Sequence, residues 1–227
     1  MQKVMETIFE TIYLLFAFSS SILIVIKAFK NNNNSYFLFG LGIFLLGFGD
    51  SFHLIPRMVG LNTTGLDDYV FSLGLGKLIT SITMTIFYIV MYFYFEDRYN
   101  KKLNPKFECL YFALALIRII LCAMPSNEWF ESSSSYLWGI IRNIPFVIMG
   151  IIFIIISYKW CKKDTYFKYT YLLVSLSFVF YLLTVLVAPF VSIMGLMMLP
   201  KTVCYILFII CGLRAIYLDN NKKEISL

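Results

Sequence analysis

The sequence predicts an all-α integral membrane protein, a bundle of seven transmembrane helices with the N-terminus outside and the C-terminus in the cytosol. Three observations carry this. Of the 227 residues, 60% are hydrophobic and only 14% charged, where soluble domains run near about 45–50% and 25%. The apolar residues fall into seven blocks, each close to the roughly 20 residues a helix needs to cross a hydrocarbon core about 30 Å thick. The basic residues gather in alternate loops, the pattern that marks cytosolic connections.

The blocks lie near 5–28, 36–56, 70–95, 107–124, 137–160, 168–190 and 194–218, so residues 1–227 read as one transmembrane domain. Barrel strands would alternate apolar and polar residues over about 10 positions. The run from Ile148 to Ile156 is instead almost unbroken in its apolarity, and helices are the other way to satisfy a backbone in lipid.

The first block carries Glu6 and Glu10 where a signal peptide would have a basic leader, so it reads as helix 1, closing at Lys27 and Lys30. A polar turn, Asn31 to Asn34, leads into helix 2, expected to bend or end at Pro56 because proline lacks the N–H that would bond the carbonyl of Phe52. The loop Gly60 to Tyr69, with Asp67 and Asp68, leads to helix 3, which brings in Lys77 and runs into Arg98, Lys101, Lys102 and Lys106. Helix 4 carries Arg118; the loop from Pro125 to Tyr136 holds Glu128, Glu131 and a serine run over 132–135. Helix 5 contains Arg142, Asn143 and Pro145 and closes among Lys159, Lys162, Lys163 and Lys168. Helix 6 has no charge, only Ser177, Tyr181 and Thr184, and ends at Pro189. Helix 7 follows Pro200 with Lys201, Cys204 and Tyr205, and Arg214, Lys222 and Lys223 come at its end. The ends of the halves, Pro56 with Lys77 and Pro189 with Lys201, hint at a 3+1+3 parallel repeat around helix 4.

These placements limit the function. The net charge of +6 sits at cytosolic loops, where it meets anionic headgroups rather than nucleic acid. The five cysteines form no ligand spacing or disulfide framework. One histidine excludes a zinc site built from several imidazoles. No cofactor or metal is expected.

A charge near the middle of a spanning helix costs roughly 2.5–3.5 kcal/mol on insertion scales, so it turns inward or finds water. Counting 1.5 Å per residue puts Glu10, Asp50, Lys77, Arg118, Arg142 and Lys201 roughly 7–10 Å below the outer surface. That layer is the candidate site. Asp50, His53 and Arg57 lie at i, i+3 and i+7 on one face of helix 2, so Asp50 and His53 read either as an acid–base pair or as part of a structural ion-pair cluster. Ser81 stands one turn beyond Lys77, and Asn143 follows Arg142 beside Pro145. Arg57, Lys77, Arg118, Arg142 and Lys201 outnumber Glu10 and Asp50, an excess that suits an anion. Snorkelling of Arg57 and Lys77 would shrink it.

The segments Gly49-Asp50-Ser51-Phe52-His53-Leu54-Ile55-Pro56-Arg57, Arg142-Asn143-Ile144-Pro145-Phe146 and Leu199-Pro200-Lys201-Thr202 together resemble an uncharacterised group of bacterial multi-pass membrane proteins. The resemblance implies a seven-helix protein of a bacterial inner membrane and no particular activity. A retinal protein is disfavoured, since Lys201 is too near the outer end of helix 7 and helix 3 has no mid-span acid. Three classes follow. One is a protein that binds or transports an anionic small molecule or lipid headgroup, through Glu10, Arg57, Lys77, Ser81, Arg118, Arg142, Asn143 and Lys201. The second is an intramembrane enzyme acting on a phosphate- or carboxylate-bearing molecule, with Asp50 and His53 as acid and base. The third is a sensor or structural protein.

Overall fold

The computed structural model describes residues 2–132 and 134–224. Seven helices form it: α1 (Gln2–Lys30), α2 (Asn34–Asn62), α3 (Val70–Tyr99), α4 (Pro105–Ala123), α5 (Tyr136–Cys161), α6 (Thr170–Leu186) and α7 (Met198–Glu224), with no strand among the described residues. Local chemistry sets several boundaries. Asn33 caps α2 by accepting from the N–H of Tyr36 at 3.1 Å, and Asn104 caps α4 by accepting from that of Lys106 at 3.1 Å, with Pro105 next. Asn100, with φ of 48°, closes α3 in the left-handed conformation.

Consecutive helices pack as neighbours and α1 meets α7, which closes the ring; α3 also reaches across to α5. The ends of the bundle therefore differ in what they carry. The N-terminus and the α2–α3, α4–α5 and α6–α7 connections share one end, called here the N-terminal end. The other three connections and the end of α7 make the C-terminal end.

Five stretches are long and apolar enough to cross a membrane: Lys3–Lys30, Asn34–Asn62, Asp67–Tyr99, Tyr136–Cys161 and Ile193–Leu218. Helix α6 is as apolar but shorter at 17 residues, about 25 Å of helix, and α4 holds Lys106, Glu108 and Arg118 within 19 residues. Large apolar side chains such as Leu15, Ile22, Leu116, Ile120, Ile151 and Val179 are exposed on the outside. A surface of that kind suits lipid rather than water, and the chain reads as a multi-pass membrane protein.

Several boundaries differ from expectation, α6 ending at Leu186 rather than at Pro189 among them, and two have a local cause. Helix α2 does not end at Pro56 but runs to Asn62. The carbonyl of Phe52 that Pro56 leaves free lies against α3 at Gly76, where any Cβ would collide with it; the neighbouring helix thus shields the weakened turn. Gly49 one turn earlier admits Thr83 in the same way, and the Thr80 hydroxyl donates to the Gly49 carbonyl at 2.8 Å. The second difference is at α7, which begins at Met198 rather than 194, after a 3₁₀ segment over Ser192–Met197. Pro200 is then in the first turn, where its missing N–H costs nothing.

The core fills the C-terminal half. Phe39, Tyr94, Phe95, Phe153, Phe167 and Phe208 are buried together, with ring centroids of 5.5 Å for Phe39–Phe208, 5.6 Å for Phe95–Phe167 and 5.6 Å for Phe95–Phe153. At that end Asp164, in the α5–α6 connection, accepts from Arg98 Nε at 3.0 Å, the Tyr99 hydroxyl at 2.9 Å and the N–H groups of Tyr166 and Phe167 at 2.7 and 3.1 Å. Burial pushes its carboxyl pKa up, but the charge of Arg98 and the two N–H donors outweigh that and hold it below the ordinary value.

Candidate functional site

Two cavities occupy the N-terminal half. The larger, about 730 Å³, is lined from α1 by Glu6, Glu10 and Tyr13, from α2 by Asp50, His53 and Arg57, and from α3 and α7 by Lys77 and Lys201. The smaller, about 360 Å³, is lined by Lys77 and Ser81 of α3, Arg118 of α4, Arg142 and Phe146 of α5, Tyr181 of α6 and Lys201 of α7, with Trp129, Ser134 and Ser135 from the α4–α5 connection. His53, Lys77, Thr80, Thr184, Met198 and Lys201 line both. The two therefore adjoin along these residues, and are called here the larger and smaller compartments of one chamber. All the candidate residues line it except Asn143.

The compartments differ in charge. In the larger, Arg57 is held by two carboxylates: its Nη2 donates to Glu6 at 2.6 Å and its Nη1 to Glu10. Asp50 accepts from the Tyr13 hydroxyl at 2.6 Å. Among the described residues no hydrogen bond joins Asp50 to His53: His53 Nδ1 is buried without a hydrogen-bond partner, and Asp50 is engaged by Tyr13. An i, i+3 relation places two side chains on one face but leaves each free to turn toward a different neighbouring helix, and α1 captures Asp50. Arg57 likewise leaves the count of unpaired cations, because Glu6, outside the layer inferred from depth, joins Glu10 against it.

The smaller compartment holds four cations, Lys77, Arg118, Arg142 and Lys201, and no carboxylate lines it. None of the four has an ion-pair partner among the described residues. Arg118, Arg142 and Lys201 are instead positioned by neutral groups. Arg118, only 1% exposed, donates from Nη1 to Asn143 Oδ1 at 3.0 Å and stacks at 3.5 Å on the Phe146 ring, while its Nε has no partner. Asn143 is a bracket rather than a lining residue: its Oδ1 also accepts from the Tyr181 hydroxyl at 2.6 Å, and its Nδ2 donates to the Gly139 carbonyl at 2.7 Å. Arg142 donates to Asn127 Oδ1 at 2.8 Å and stacks at 4.0 Å on Trp129. Lys201 lies 5.1 Å from the Tyr181 ring and 5.8 Å from that of Tyr205. The Ser81 hydroxyl donates back to the Lys77 carbonyl at 2.7 Å, so in this state it is engaged by its own helix.

Residues not anticipated from sequence complete the frame. Asn127, fully buried, closes the end of α4 by donating to the carbonyls of Leu121 and Met124 at 2.7 and 2.8 Å, and Trp129 Nε1 donates to that of Cys122 at 2.9 Å. Together they fasten the α4–α5 connection over the compartment and aim Arg142 into it. Tyr13 follows Glu6 and Glu10 at i+7 and i+3, a spacing that could have placed it on the same face. Asn127 and Trp129 lie in a connection without periodicity, and no comparable signal marks them.

Comparison with known protein families, curated proteins and solved structures gives no match. What stands from the sequence resemblance is a bundle of seven helices, several of them apolar.

Proposed function

We propose that the protein binds an anionic small molecule or lipid headgroup in the smaller compartment and serves its movement across the membrane. One observation carries this: four cations from four helices converge on a cavity with no carboxylate in its lining. Of the four, Arg118 is buried, Arg142 and Lys201 are half-buried and Lys77 is exposed; a buried charge is ordinarily paired, because an isolated one pays heavily for lost water. The cost is offset when a carboxylate or phosphate enters, and the two guanidiniums, held flat on aromatic rings, suit such a group. The polar chamber at one end and the prolines inside α2 and α5 favour a carrier over an anchored scaffold. The basic connections at the C-terminal end favour a cytosolic placement of that end, so the chamber would open outward. A cell membrane, and by the sequence resemblance a bacterial inner membrane, is the corresponding location. An acid–base enzyme draws less support, since its proposed base and acid are not hydrogen-bonded to each other.

The test is binding of propyl phosphate and pentanoate to protein in phosphatidylcholine nanodiscs by calorimetry, with uptake into proteoliposomes measured in parallel. Saturable binding of either anion that Arg118→Leu weakens by about 100-fold is expected. Binding equal in wild type and in Arg118→Leu and Arg142→Leu would overturn the reading.

A further inference from the structure

We infer that the molecule bound in this chamber is a zwitterion, with its anionic group among Lys77, Arg118 and Arg142 and a primary amine between Glu10 and Asp50. The inference rests on the anion reading and adds the second charge. Its basis is the larger compartment. Glu10 is only 3% exposed; one oxygen meets Arg57, while the other, Oε2, is buried with no hydrogen-bond partner. Arg57 does not reach it: Nη1 donates to Oε1 and Nη2 to Glu6.

Across from Glu10, Asp50 accepts from Tyr13 and has no cation at ion-pair distance among the described residues, although Lys201 acts on it from further off. Asp50 and Glu10 line the same compartment. Two neighbouring carboxylates in an enclosed space favour a cation between them. Two carboxylates and a phenol offer few oxygens with which to replace a metal ion's shell, and no metal-holding group occurs among the described residues. An ammonium needs only three acceptors. His53, Thr80 and Lys201 line both compartments, so a short spacer can lie across them and leave each charge facing its opposite.

Matched pairs test this: phosphoethanolamine against propyl phosphate, and 4-aminobutyrate against pentanoate, in which a methyl replaces the ammonium. In phosphatidylcholine nanodiscs the amine-bearing member of at least one pair binds more tightly by about tenfold, the worth of a charge-assisted contact. Glu10→Gln, which keeps an acceptor for Arg57, and Asp50→Asn each shrink that preference toward one. Thermal unfolding confirms that both variants fold. Adding phosphatidylethanolamine to the nanodiscs distinguishes the source: competition assigns the zwitterion to a headgroup, and its absence to a free solute. Equal affinity within both pairs overturns the zwitterion and leaves the anion reading standing. A preference that survives both substitutions also overturns it, and binding of none of the four compounds sinks both readings.

Discussion

The two ends of the bundle handle buried charge in opposite ways. At the C-terminal end, Asp164 is matched by Arg98, by a phenol and by two backbone N–H groups, over a core packed with aromatic rings. At the N-terminal end, Arg118 is buried and Arg142 half-buried beside a cavity, and both meet only neutral oxygens and ring faces. One end spends its charges on holding the fold. The other keeps them fixed in position but unneutralised, a costly arrangement that makes sense only if something completes it.

The sharpest test of that contrast is Arg118→Leu, which is expected to weaken binding of propyl phosphate or pentanoate by about 100-fold, the low end of what removing one side of an enclosed charge pair costs. Stability should move the other way. Exchanging an unpaired buried charge for an apolar side chain is neutral or stabilising in many proteins, so thermal unfolding of the empty variant should occur no lower than in wild type. A variant that unfolds lower without losing affinity would make Arg118 a structural residue like Arg98.

Arg98→Leu should do what Arg118→Leu does not. Its partner Asp164 is left in an enclosed position, with the two side chains 14% and 8% exposed in the native pair. A loss of about 1–3 kcal/mol of stability is expected, with the solvent access of Arg98 keeping it below the fully buried case. Anion affinity should be unchanged, since Arg98 lies at the far end. Denaturant or thermal unfolding in matched nanodiscs reads the first quantity and calorimetry the second.

Why the fold was legible and the pairings were not follows from what each depends on. Seven apolar blocks are a property of the chain taken locally, and lipid leaves a helix as the only way to satisfy such a block. Depth is also local, so Lys77, Arg118, Arg142 and Lys201 can be set at one level by counting residues. Who meets whom is not. Glu6 reaches Arg57, and Tyr13 takes Asp50, because α1 packs beside α2 in the ring; no periodicity in either segment encodes that neighbour. Pro56 shows the same limit. Its lost hydrogen bond predicts a break, and only the close approach of α3 at Gly76 explains the helix running on to Asn62.

Acid should weaken the C-terminal network by protonating Asp164. The Asp164 carboxyl lies in the α5–α6 connection with its pKa held below the unfolded value, burial opposing and Arg98 with the two N–H donors prevailing. A depressed pKa contributes stability that is fully present above the unfolded value, about 3.9, and is lost as pH falls through the lower folded one. The advantage of wild type over Asp164→Asn should therefore be constant above about pH 4 and shrink below it. An advantage that instead grows on acidification would show that the carboxyl is not ionised in the folded protein.

The smallest effect separates charge as such from enclosed charge. Lys102 and Glu96 also pair at the C-terminal end, at 3.1 Å, but the lysine side chain is 76% exposed. Water screens that contact and the long side chain loses entropy to make it, so Lys102→Ala should change stability by no more than about 0.5 kcal/mol. Raising salt should leave even that difference smaller. If Lys102→Ala instead cost as much as Arg98→Leu, the order at this end would come from the number of ion pairs and not from their burial. The unneutralised state of the N-terminal cations would then say much less about a ligand, because the argument for one rests on how expensive an enclosed charge is compared with one in water.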